Sequence, residues 1–281
     1  MPTFATPTPI DLEINLQVGA VDIVAGDRAD TVVTVAPTNP AKGVDRRGAE
    51  ETTVDFDGQR LTIVGPKPRL SWIGPTESVD ITIALPAGSR LTAELAVGGL
   101  RSVGPLGATR VKSSMGPVDI DGAGDLSLRA GHGNATVGTV GGAGEITADH
   151  GQIRVGSIAG DAILKASHGS ITVGESGGDL DAKLSYGDLE VATARASVTA
   201  KTAYGSIALR QVSGGSVQVE SGFGQVTIGV QPGVAAWLDL SSKSGHVRNE
   251  LAGDSAPATA EQTVSVRART QFGNINIERA R

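Results

Sequence analysis

The sequence predicts an all-β protein, a single-domain β-solenoid of roughly ten coils with a repeat of about 18 residues and little or no helix. One observation is a glycine that returns after every 17, 18 or 19 residues. A second is a pair of short strands with alternating apolar residues in each period. The third is composition: 39 glycines and only 3% aromatic residues require tight turns and a thin core of small side chains. The repeat glycine stands at Gly116, Gly133, Gly151, Gly169, Gly187, Gly205 and Gly224.

The two strands of a period lie on either side of the glycine. Leu164 and Ala166 precede Gly169, for example, and Ile171 and Val173 follow it. Alternation of period two is typical of half-buried strands. If each coil stacks on the last, equivalent apolar residues form columns inside the protein, and no coil is stable without its neighbours.

Residues 1–90 are expected to form irregular N-terminal coils with a cap loop. Alternation over 10–24 already follows the repeat pattern, and a further strand is predicted at 31–36. Prolines and glycine break the pattern over 37–51, and a short helical turn could form at 44–51.

The strand pattern returns after this loop. Strands are predicted at 52–57 and 60–64, joined by a turn at Asp57-Gly58, and again at 79–85. The proline-rich loop between them contains Leu70, Trp72 and Ile73. This apolar loop either contacts a partner or folds over the open end of the core as a cap.

Regular repeats occupy 91–249, and residues 250–281 are expected to form a terminal loop and a last coil. The loop covers 251–262, and alternation then resumes from Val264 to Ile277. The irregular region at 37–76 and the loop at 251–262 are expected to protect the solenoid ends, because bare edge strands promote polymerisation.

Composition excludes several classes of function. Without cysteine, no disulfide or Cys-ligated metal can form. A net charge of −6 argues against non-specific nucleic-acid binding, and no apolar stretch approaches membrane-helix length. With no recognisable signal peptide, we expect a cytoplasmic protein without cofactors, or one that associates with the envelope through partners.

The repeat also resembles a known family, the Toastrack proteins, bacterial β-strand-repeat proteins of unknown function that are also called putative adhesins. The family repeat typically reads Thr-Ala-Ser-Gly-Asp-Val, with alternating apolar residues on both sides. Residues 165–171 read Lys-Ala-Ser-His-Gly-Ser-Ile, and 201–207 read Lys-Thr-Ala-Tyr-Gly-Ser-Ile. Residues 234–248 and 267–275 are similar to the family's final turns. The resemblance implies a single-domain β-solenoid, often linked to envelope or stress systems, with no catalytic residues.

One column departs from the family, in which a small serine usually precedes the glycine. The predicted binding residues are the rings in this column: His132, His150, His168, Tyr186, Tyr204 and Phe223. They could form a metal site, although a line of ligands converges poorly on one ion. They could instead be a stacked corner ladder that shields the turn, or a recognition stripe for a sugar chain, peptide or protein surface. The sequence leaves open whether the rings face solvent or core.

Acidic residues recur near the start of the first strand of several coils. Asp125, Asp161 and Asp179 each follow a glycine. Asp181, Asp188 and Glu190 lie on a nearby outward face. Clustered carboxylates can bind calcium or cleave polysaccharides. A Gly-Asp pair is also an ordinary turn.

No catalytic motif accompanies these residues: the chain has no nucleophile elbow, phosphate-binding loop or His-Glu-x-x-His sequence. The sequence therefore favours a non-enzymatic interaction scaffold that contacts a protein partner or a second copy. The alternatives are a β-helix that binds or cleaves carbohydrate through outward carboxylates, and a self-assembling structural protein.

Overall fold

The computed structural model describes residues 2–66, 77–251 and 263–280. The chain consists of two compact units, Met1–Gly138 and Thr139–Arg281, each built almost entirely of stacked parallel strands. The β-solenoid prediction is confirmed. The single-domain expectation stays a prediction.

The first unit has twelve described strands and one described helix, and a further strand, β13 (Ala135–Val140), contains the boundary between the units. They are β1 (Thr3–Ala5), β2 (Asp11–Val18), β3 (Val21–Gly26), β4 (Asp30–Pro37), α1 (Gly43–Glu51), β5 (Thr53–Phe56), β6 (Arg60–Val64), β7 (Val79–Pro86), β8 (Arg90–Val97), β9 (Leu100–Pro105), β10 (Thr109–Met115), β11 (Val118–Ala123) and β12 (Leu126–His132).

The strands of the first unit do not stack in chain order. One sheet runs β1-β4-β7-β3-β9-β11 and the other β5-β6-β2-β8-β10-β12. The first coil of the chain, made of β2 and β3, therefore lies between the coil of β6 and β7 and the coil of β8 and β9. Stacking each coil on the last would have left β2 and β3 at the end of the array.

Antiparallel strands and the helix close this end of the first unit. β1 and β5 are antiparallel edge strands of the two sheets, and Phe4 of β1 lies 4.9 Å from Phe56 of β5 between ring centroids. The helix covers the predicted turn at 44–51. Its buried Asp45 accepts hydrogen bonds from the backbone amides of Asn39 and Ser78, each at 3.2 Å, which fixes the helix to both neighbouring segments. Leu70, Trp72 and Ile73 lie outside the described residues.

The strands of the second unit repeat the same two-strand coil. They are β14 (Gly144–His150), β15 (Ile153–Ile158), β16 (Ala162–His168), β17 (Ile171–Ser176), β18 (Leu180–Tyr186), β19 (Leu189–Ala194), β20 (Val198–Tyr204), β21 (Ile207–Val212), β22 (Gly215–Phe223), β23 (Val226–Val230), β24 (Ala235–Ser244), β25 (Val247–Asn249), β26 (Thr263–Phe272) and β27 (Ile275–Arg279).

The last coil of the chain is also inserted into the stack. One sheet runs β14-β16-β18-β20-β22-β26-β24 and the other β15-β17-β19-β21-β23-β27-β25. β26 and β27 therefore lie between the coil of β22 and β23 and the coil of β24 and β25. The predicted last coil exists, but the coil of β24 and β25 occupies the edge. None of the described helices is long and apolar enough to cross a membrane.

The core consists of apolar columns that run from coil to coil through aligned strands. Ile153, Ile171, Leu189 and Ile207 are aligned across four successive strands and are 0–1% exposed. Equivalent apolar side chains contact each other coil after coil, so burial of this column stabilises every coil through both neighbours.

The repeat glycine makes this close stacking possible. Gly169 has φ +145°, and a Cβ there would lie 1.9 Å from the carbonyl oxygen of Gly151 in the preceding coil. Every described repeat glycine has a positive φ between 132° and 159°. The corner therefore excludes any side chain, for reasons of both backbone conformation and space.

We expect Gly169→Ala to lower the free energy of unfolding by about 3 kcal/mol, because the methyl group collides with backbone and the backbone conformation disfavours alanine. The matched control is Gly26→Ala, since a Cβ at Gly26 meets nothing within 4 Å. Urea unfolding of both variants measures the difference. Equal stability of the two variants would contradict a steric role for the corner glycine.

Candidate functional site

Five of the six predicted binding residues lie in one row in the second unit. His150, His168, Tyr186, Tyr204 and Phe223 each end the strand before the repeat glycine and are aligned strand to strand. The inserted last coil adds Phe272, which is aligned with Phe223. We call these six residues the aromatic stripe. His132 occupies the equivalent corner in the first unit, aligned with Met115.

The rings of the stripe stack face to face. Successive ring centroids are 4.9, 5.2, 5.0, 4.9 and 4.7 Å apart, and successive planes differ by only 2–8°. This spacing is the separation of hydrogen-bonded strands, so the backbone register imposes it. The stripe is about 25 Å long, since it spans five such steps.

The stripe faces solvent. Tyr186 is 50% exposed and Phe223 is 43% exposed, and the three histidines of the predicted site are exposed as well. The alternation of the strand would direct this side chain inward. The strand ends at the glycine corner, however, and the ring lies at the surface beside the turn.

Stacking decides which part of each ring a ligand can reach. Each inner ring has a parallel neighbour on both faces, so only ring edges and the tyrosine hydroxyls are accessible along the row. Ring edges carry partial positive charge and suit apolar groups and oxygen acceptors. A sugar ring needs an open aromatic face, which the inner rings of the stripe do not present.

The stripe is poorly suited to metal binding. His150 and His168 are parallel, with an interplanar angle of 4°, and do not converge on one point. Within the described parts of the chain, no group of three or more His, Cys, Asp or Glu residues could hold a metal ion.

The recurring acidic residues make hydrogen bonds between coils. The Asp161 carboxylate accepts a hydrogen bond from the backbone amide of Asp179 at 3.0 Å. The Asp179 carboxylate in turn accepts one from the backbone amide of Ser197, also at 3.0 Å. Asp188 accepts the amide of Ser206 at 2.7 Å, and Glu190 forms an ion pair with Arg210 at 3.0 Å. The three aspartates satisfy backbone amides of the next coil, which gives their recurrence a structural reason.

A polar surface on β24 and β26 of the second unit was not predicted from the sequence. There Asp239 of β24 accepts hydrogen bonds from Arg267 at 3.1 Å and Arg269 at 2.7 Å, both on β26. The hydrogen bond from Arg269, with the charges of both guanidinium groups, lowers the pKa of the Asp239 carboxyl below its ordinary 3.8. Trp237, two residues before it, is 72% exposed.

Comparison with known families assigns the chain. The family described as Toastrack DUF4097 matches residues 11–278, so the chain belongs to the Toastrack family, as its repeat predicts. Comparison with curated proteins finds no match.

Several solved structures are similar to this chain at low identity. A putative adhesin from Bacteroides fragilis shares 11% identity over 98% of this chain and 95% of its own, with a TM-score of 0.40. A putative cell adhesion protein from Clostridium sporogenes shares 12% over 99% and 98%, with a TM-score of 0.21. A putative lipid binding protein from Parabacteroides distasonis shares 12% over 100% and 96%, with a TM-score of 0.32.

We expect Tyr186→Ser to lower the free energy of unfolding by about 1–2 kcal/mol, because the exposed ring gives up only its two stacking contacts. Leu184→Ala, two residues earlier but buried at 6% exposure, is expected to cost about 2–5 kcal/mol. Thermal unfolding of both variants measures the contrast. A larger loss for Tyr186→Ser than for Leu184→Ala would show that the stripe is part of the core.

Asp239 makes stability depend on pH in a defined direction. Its pKa is lowered in the folded chain, so its contribution is present above the ordinary value of 3.8 and disappears as the pH falls through the lower folded value. We therefore expect Asp239→Asn to reduce the melting temperature near neutral pH. The difference between wild type and variant should shrink below pH 3.8, and a constant difference across that range would contradict the assignment.

Proposed function

We propose that this chain is a non-enzymatic interaction scaffold whose aromatic stripe binds a protein partner. The observation that carries the proposal is the solvent-exposed row of six stacked rings from His150 to Phe272. Clustered exposed aromatic groups are typical of interaction surfaces, where they provide contact area at low entropic cost. Membership of the Toastrack family is consistent with this role.

The geometry favours a protein over a sugar chain as the occupant of the stripe. Accessible ring edges and tyrosine hydroxyls can pack against aliphatic side chains and contact carbonyl oxygens, which a protein surface offers together. A row about 25 Å long has the dimension of an ordinary protein interface patch. A second copy of this chain is one form of such a partner.

A carbohydrate-cleaving function receives no support from the acidic columns. Asp161 and Asp179 accept backbone amides of the following coil, and Glu190 is paired with Arg210. Carboxylates engaged in this way are poorly placed to act as an acid and base pair on a glycosidic bond. A cytoplasmic location, or association with the envelope through a partner, stays part of the proposal.

The test is a triple variant of the stripe, His168→Ser with Tyr186→Ser and Tyr204→Ser. The matched control changes three outward residues on the same strands, each five residues earlier: Ile163→Ser, Asp181→Ser and Thr199→Ser. Quantitative cross-linking in the cells that produce the protein identifies candidate partners, and each is then titrated in purified form. Light scattering of both variants tests self-association in parallel.

We expect the stripe variant to bind at least about tenfold more weakly than wild type, because aromatic interface residues dominate binding energy. The control variant should bind as wild type does. A partner that binds both variants equally well would contradict the proposal.

A further inference from the structure

Trp237 is a large apolar side chain that contributes little to the core. At 72% exposure it is the most exposed large hydrophobic residue of the described chain. Its aligned neighbours are small: Ser265 on β26, and Ser216 on β22 aligned with Ser265. It also stacks on no other ring in the described residues, unlike every ring of the stripe. The face of this indole is therefore open to solvent and accessible to a ligand.

Trp237 forms one wall of a shallow depression with a volume of about 240 Å³. Two rows of outward side chains line it across three adjacent strands. Ser216, Ser265 and Trp237 make one row, and Gln218, Arg267 and Asp239 make the other, two residues further along each strand. The strand register holds the polar groups at fixed spacing beside the indole, so the site is preformed.

Charge and hydrogen-bonding capacity define the ligand class. The lining has one carboxylate and one guanidinium, joined at 3.1 Å, so its own side chains carry no net formal charge. Arg269, which also donates to the Asp239 carboxylate, is not part of the lining. The serine hydroxyls and the Gln218 amide both donate and accept, Arg267 only donates, and ionised Asp239 only accepts. Hydroxyl groups, which also donate and accept, match this set. An apolar ligand would desolvate the Asp239–Arg267 pair without replacing its water contacts.

We propose that this depression binds a neutral oligosaccharide, with one sugar ring packed on the Trp237 indole and its hydroxyls hydrogen-bonded to Gln218, Asp239 and Arg267. This site is separate from the aromatic stripe and goes beyond the proposed scaffold function. The two surfaces differ in one property, since the indole of Trp237 has no stacked neighbour and the inner rings of the stripe have two.

The chain provides its own fluorescent probe for the test. It contains two tryptophans, Trp72 and Trp237, so Trp72→Phe leaves Trp237 as the single indole. We expect a saturable change of its emission on titration with at least one of maltohexaose, cellohexaose and chitohexaose. Since these probes are uncharged, the affinity should not change between low and physiological salt.

Calorimetry with the best of the three sugars then compares variants of the full chain. Trp237→Ala should weaken binding at least about tenfold, and Gln218→Ala should weaken it several-fold, because each removes a contact group in the lining. Both side chains are exposed, so folding is retained and circular dichroism checks it. Ile163→Ser on β16 changes an exposed residue that belongs to neither surface, so it is the matched control and should bind as wild type does.

Three outcomes would overturn the proposal. One is the absence of saturable binding for all three sugars at millimolar concentration. Another is preference for an oligomer of a uronic acid over the neutral sugars, which would assign an anionic ligand. The third is a dimer in light scattering that Trp237→Ala dissociates, which would assign the surface to a second copy. Equal partner binding by the stripe variant and its control would contradict the scaffold proposal without affecting this site, so the two proposals fail separately.

Discussion

The contact between successive backbones at the glycine corner determines the rest of this structure. At Gly169 a Cβ would lie 1.9 Å from a carbonyl oxygen of the coil before it, which leaves space for hydrogen alone. The backbones of two successive coils can approach this closely only when the corner residue has no side chain. The strands on both sides are then held in register, with their inward residues in columns and their outward residues in rows. Both the core and the candidate sites follow from that register.

The regular part of the fold could be predicted because each period contains its own complete signal. The spacing of Gly133, Gly151 and Gly169, with alternating apolar residues between them, allows one architecture. The neighbour order of the coils could not be predicted in this way. The coil of β2 and β3 has the same pattern as the others, so nothing local to it indicates that β6 and β7 will pack on its outer side. The same holds for β26 and β27.

The candidate stripe was predictable as a set and unpredictable in orientation. Equal spacing of His150, His168 and Tyr186 from the glycine places them in one row. Strand alternation would direct them inward, and the corner turns them outward, which depends on backbone geometry that composition does not encode. The reason why Trp237 could not be identified from the sequence is a different one. Its significance depends on Gln218 and Arg267, which come from two other strands and adjoin it only through the inserted coil.

The two aromatic surfaces show how one residue class can serve opposite purposes in a parallel stack. Where rings recur at every coil, they cover each other and expose their edges. Where a ring stands alone, as at Trp237, its face stays open beside polar groups from neighbouring strands. In such a protein, the residues one coil away therefore determine whether an exposed aromatic ring offers its edge or its face to a ligand.

The inserted last coil also has a mechanical consequence. A strand at the edge of a sheet can be peeled away one hydrogen bond at a time by a force applied to its end. β27 leads directly to the carboxyl end of the described chain, yet it is bonded to β23 on one side and β25 on the other. Tension on this terminus must shear two ladders together, and the adjoining β26 is held in the same way. The last strand is thereby held by hydrogen bonds on both sides, and a pulling force acts on an interior strand of the stack and not on an edge strand.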